Sequence, residues 1–117
     1  MGGKPASMKV DWSSFADAEI QSAIDHYEQQ RPGLGVRFLG AVRAAAAGIS
    51  EWPSAGKPVD ASFRARRVNG FPYWLIYTQV GPVIWIASAP HQSRMPGYWR
   101  SRWDVREPMP TYGRRAA

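Results

Sequence analysis

The chain has 117 residues, 44% of them hydrophobic, no cysteine and a formal net charge of +6. That length makes one domain with a modest core, and the composition is globular rather than disordered. The missing cysteines exclude disulfides and thiolate metal sites, the two isolated histidines give no reason to expect a metal or a cofactor, and no apolar stretch is long enough to span a bilayer.

The opening MGGKPAS lacks the apolar run of a signal peptide, so residues 1–7 read as a flexible extension and the cytoplasm as the compartment. MKVDW (8–12) alternates and suits a first strand. SSFADAEIQSAIDHYEQQ (13–30) is helical in pattern. Ser14 is placed to cap it, Asp17 suits its N-terminal end, and Phe15, Ile20, Ala23, Ile24 and Tyr27 fall on one apolar face. RPGLG breaks the period, and a second helix runs from Leu34 to Glu51, with Phe38, Leu39, Val42, Ala46 and Ile49 on one face and Pro53 ending it. So short a link makes the two helices an antiparallel hairpin. WPSAGKPVDAS (52–62) reads as loop.

Beyond it the period becomes that of strands. FRARRV (63–68) alternates, Asn69-Gly70 is a tight-turn signal, and YWLIYTQV (73–80) and PVIWIASA (82–89) are rich in aromatic and β-branched residues. Three strands with such short connections form an antiparallel meander, to whose edge the first strand can add. The expected fold class is α+β: an N-terminal helical hairpin packed on one face of a small antiparallel sheet. The domain is expected over residues 8–102, and residues 103–117, with two prolines and no periodicity, are expected to be loosely ordered.

Charge is uneven along the chain. Residues 1–62 carry six basic and seven acidic side chains, whereas residues 63–117 carry nine Arg, no Lys, and only Asp104 and Glu107. This asymmetry points to an acidic partner for the second half, and guanidinium groups suit bidentate contact with phosphate or carboxylate. Arg64 and Arg66 share one side of their strand by alternation, a reasonable phosphate clamp, while Arg67 faces the other way and reads as edge protection. The segment PHQSRMPGYWRSR (90–102) gathers His91, Arg94, Tyr98 and Arg102. A short helix starting at Pro96 would put Tyr98 and Arg102 on one face and Trp99 toward the core.

Three stretches, YEQQRPGLGVRFL at the helix junction, FPYWLIY at 71–77 and APHQSRMPGYWRSR at 89–102, resemble in order and separation the RelE/ParE superfamily of toxins from type II toxin–antitoxin systems. The likeness covers about residues 9–102 and is stronger to the ParE-like, plasmid-stabilisation branch. It implies a growth-inhibiting toxin silenced by a cognate antitoxin, in a heteromeric complex that binds operator DNA through the antitoxin. Two targets are implied by different members: messenger RNA cleaved on the ribosome by a metal-independent endoribonuclease, or DNA gyrase poisoned without catalysis. A non-toxic member that only binds its antitoxin is a third reading. For the ribonuclease, His91 would serve as acid or base, Arg94 would stabilise phosphate charge, Tyr98 would stack on a base or assist proton transfer, and Arg64, Arg66 and Arg102 would hold phosphates. The ribonucleases of the superfamily line their site with several lysines; residues 63–117 here have none.

Overall fold

In a computed structural model of the chain, residues 7–94 are described. In chain order they form β1 (Lys9–Trp12), α1 (Ser14–Gln30), α2 (Leu34–Glu51), a single 3-10 turn (Pro53–Ala55), β2 (Lys57–Pro58), β3 (Arg64–Arg67), β4 (Trp74–Val80), β5 (Val83–Ser88) and a final 3-10 turn (Gln92–Arg94). The five strands make one sheet in the order β1-β5-β4-β3-β2.

The α+β class and the helical hairpin are as expected, and α2 has the expected ends. The sheet differs in two respects. It is mixed, because β1 runs parallel to β5, from Lys9 beside Val83 to Trp12 beside Ile86. The two helices, β2, β3 and β4 all intervene between β1 and β5, a connection long enough for a parallel pairing. The stretch 52–62 is also more than loop: Lys57 and Pro58 pair antiparallel with Ala65 and Arg64. Pro58 is tolerated there because β2 is an edge strand.

Each helix starts from a local cause. Ser13, one residue before the expected cap, caps α1: its side chain accepts the Ala16 amide at 2.9 Å. It also donates to the Ala87 carbonyl at 2.8 Å, so one hydroxyl ties the helix start to β5. The first residue of α2 follows Gly33 at φ 89°, which has no side chain to cap the helix. Glu28 of α1 supplies the missing acceptor, taking the amides of Gly33 and Gly35 at 2.9 Å each. Gly35 must be small, since a Cβ there would lie 2.8 Å from the Ile24 carbonyl oxygen.

Two apolar clusters flank the sheet. Under the hairpin, Ala16, Ile20, Ala23, Phe38, Val42, Ala45 and Ile49 pack on Leu75, Tyr77, Ile84 and Ile86. On the second face, Phe63, Ala65, Ile76, Val80, Trp85 and Ala87 form the other cluster. Phe15, placed by period on the apolar face of α1, packs against this second cluster instead. All six residues of β5 are buried, which explains its continuous apolar run. No helix among the described residues is long and apolar enough to cross a membrane.

Candidate functional site

The expected site residues fall at different places on the sheet. His91 follows β5 and makes an isolated antiparallel bridge with Tyr73. The two rings meet edge to face, with centroids 5.2 Å apart. The Ser93 amide donates to His91 Nδ1 at 3.0 Å, with Ser93 Oγ at the same distance. A nitrogen that accepts from a backbone amide carries no proton, so the neutral ring is protonated at Nε2. In this state His91 offers a donor, and action as a base requires the Nδ1 contact to break.

Tyr73 joins His91 to the hairpin. Its ring contacts Tyr27 and Phe38, which with Phe71 form an aromatic cluster of centroid distances between 5.0 and 6.3 Å. Burial pushes its phenol above the usual tyrosine range, and the carboxylate of Glu19 adds to the shift. Glu19 itself reaches from α1 to the end of β5, accepting from Ser88 Oγ at 3.0 Å and the Ala89 amide at 2.6 Å. Glu19 and Tyr73 therefore share the end of the sheet with His91, and sequence reasoning missed Glu19. A separation of 70 residues between Glu19 and Ala89 leaves no periodic signal for such a pairing.

The arginines lie further along the sheet. Arg64 pairs with Tyr77 and Arg66 with Leu75, so both occupy the helix-covered face, while Arg67 pairs with Trp74 on the other. Arg64 Nη1 donates to the Gly56 carbonyl at 2.8 Å. Arg66 lies against α2, where a Cβ on Gly48 would be 2.5 Å from its guanidinium carbon. Tyr77 is pushed up by burial, an effect partly offset by the Gly56 backbone and by the positive charges of Arg64 and Arg66. Arg67 is exposed and sits 5.9 Å from the centroid of the Trp74 ring, with Lys57 at 5.7 Å.

His91 is level with Tyr73 and Arg64 with Tyr77, four residues on along β4. At about 3.3 Å per residue the two are separated by roughly 13 Å along the strand. The structure thus brings Arg64 and Arg66 to one face, with the backbone of Arg64 further from His91 than that of Arg66. Arg94 has its backbone in the final 3-10 turn. Tyr98 and Arg102, and the helix expected from Pro96, lie outside the described residues. Among the described residues no group of His, Asp and Glu is arranged to hold a metal.

No protein-family model and no curated protein matches the sequence. Among solved structures, the fold is similar to that of a chain from the chromosomal ParDE TA system of P. aeruginosa. The TM-score is 0.65 at 17% identity, over 73% of this chain and 96% of that one. The folded core thus has the RelE/ParE-like architecture that the resemblance implied.

Proposed function

We infer that the chain is the toxin of a toxin–antitoxin pair, silenced by a cognate antitoxin, and that it acts by binding its target rather than by cleaving RNA. The observation that supports the first part is the fold shared with nearly the whole of a chain from a ParDE system. The second part is supported by the backbone separation of His91 from Arg64 along the sheet and by the packing of Arg66 against α2. Metal-independent cleavage needs proton-transfer groups and cations within hydrogen-bond reach of one phosphate. DNA gyrase is then the target, as in the branch the sequence resembles. The hairpin offers a contact surface: Val36 on α2 is 72% exposed, and Trp12, Ile20, Leu39 and Val42 line a furrow between the helices.

Ribosome-dependent cleavage of messenger RNA is the second reading. It is favoured by His91 itself, a side chain of the type suited to proton transfer near neutrality, at the start of the basic segment 91–102. One experiment decides between them. The chain is expressed in a bacterium without the antitoxin, and DNA synthesis and messenger RNA ends are followed together. Halted DNA synthesis with intact messages, and undiminished toxicity of His91→Ala, is the expected result. Cuts at fixed codon positions that disappear in His91→Ala would replace this reading with the ribonuclease. Growth unaffected by the chain, with or without an acidic antitoxin encoded beside it, would remove both.

A further inference from the structure

At the β4–β5 hairpin end of the sheet, away from His91, the 53–57 segment arches over β3 and β4. Two bonds pin the arch: Tyr77 Oη donates to the Pro53 carbonyl at 2.7 Å, and Arg64 Nη1 to the Gly56 carbonyl at 2.8 Å. Gly56 is packed so closely on Tyr77 that a Cβ would fall 2.2 Å from its hydroxyl. The arch therefore holds the Arg64 guanidinium in one place. Beside it lies an open cleft of about 330 Å³, lined by Arg64, Tyr77, Thr78 and Gln79 of the strands and by Ser54 and Ser62 of the flanking turns.

The lining is one-sided in its chemistry. Arg64 has five N–H donors and spends one on Gly56; among the described residues it makes no other hydrogen bond. The hydroxyls of Ser54 and Ser62 make none there either. Thr78 Oγ1 is spent on the Ser62 carbonyl, and the Gln79 amide nitrogen donates to Gly81. No carboxylate lines the cleft. The nearby Asp60 has Oδ1 engaged by the amides of Ser62 and Phe63. Arg66 adds a second positive charge on the same sheet face.

The geometry points to a binding site for a small phosphorylated molecule in this cleft. The guanidinium takes two phosphate oxygens in its fork, and Ser54 and Ser62 donate to others. A cleft of this volume is several times larger than a phosphate and lies at the lower end of the range of small-molecule pockets. It therefore holds a compact body of nucleoside or sugar size, with the Gln79 carbonyl oxygen as an acceptor for its hydroxyls. This site is independent of the gyrase reading, since it uses neither His91 nor the hairpin surface; the ribonuclease reading shares Arg64 with it.

Thermal unfolding of the full chain tests it, with inorganic phosphate, adenosine 5′-monophosphate, ribose 5-phosphate and adenosine as probes, each against sodium chloride of equal ionic strength. A phosphomonoester should raise Tm saturably, inorganic phosphate should do so more weakly, and adenosine should not. Preference for the nucleotide or the sugar phosphate identifies the body of the ligand. Arg64→Gln should weaken binding at least tenfold. Because that variant also loses the Gly56 bond, Ser54→Ala combined with Ser62→Ala, which leaves the arch intact, should weaken binding by a similar factor. Arg67→Gln, on the opposite face, should not. Shifts no larger than those from chloride, or equal shifts in the Arg67 and Arg64 variants, would overturn the site and leave the gyrase reading untouched.

Discussion

Ser13 shows how much one side chain can hold. It is fully buried, accepts from Ala16 and donates to Ala87. Ser13→Ala removes a helix cap and leaves two buried backbone groups without partners, so stability should fall by about 2 kcal/mol, read from chemical denaturation with an unchanged slope. The tyrosines set the alkaline limit. Tyr27, Tyr73 and Tyr77 are all pushed above the ordinary range, in each case chiefly by burial. A group that holds its proton more tightly when folded contributes stability that is complete below its unfolded pKa, and that stability is lost as pH rises through the folded value. The chain should therefore lose stability progressively above about pH 10. Tyr73→Phe should flatten that limb in melts taken across the range; an unchanged limb would show that Tyr73 is not part of it.

At the scale of elements, the helix junction rests on Glu28. The α2 N-terminus has Gly33 in a left-handed conformation and no capping side chain of its own. A carboxylate from α1 meets the free amides at the positive end of the helix dipole, so the cap also fixes the angle of the hairpin. Glu28→Gln keeps one acceptor oxygen, but it loses the charge and sets an NH2 donor against the second amide. It should cost about 1 kcal/mol and speed amide exchange at Gly33 and Gly35 before exchange in β4 or β5 changes. Exchange that rises equally throughout the sheet would mean that the junction does not open separately. The sheet has its own device: the register shifts between Ile76 and Tyr77, which face Ser88 and Ile86, so Ala87 is an extra residue in β5. Its carbonyl is the one that Ser13 finds.

For the whole molecule, the uneven charge decides how it meets a partner. The net charge of +6 comes from the second half. On the proposed function, association with an acidic antitoxin should therefore be steered by long-range attraction, and its on-rate should fall several-fold between 50 and 300 mM salt while the off-rate changes little. Stopped-flow mixing of this chain with such a partner measures both rates; an on-rate indifferent to salt would mean that the arginines do not guide the encounter.

Local signals in the sequence determined the two helices, the turn at Asn69-Gly70, the strands that follow and the placing of Arg64 and Arg66 on one face, because each rests on periods of two or 3.6 residues or on a turn residue. Lys57-Pro58 was too short to show a period, and Phe15 had a helical spacing that two different clusters could satisfy. Only the tertiary structure decided what the site residues touch. The parallel pairing of β1, the reach of Glu19 to Ala89, the packing of Arg66 on Gly48 and the distance between His91 and Arg64 all join residues far apart in the chain. Such contacts follow from how the hairpin lies across the sheet, and no local period records that packing.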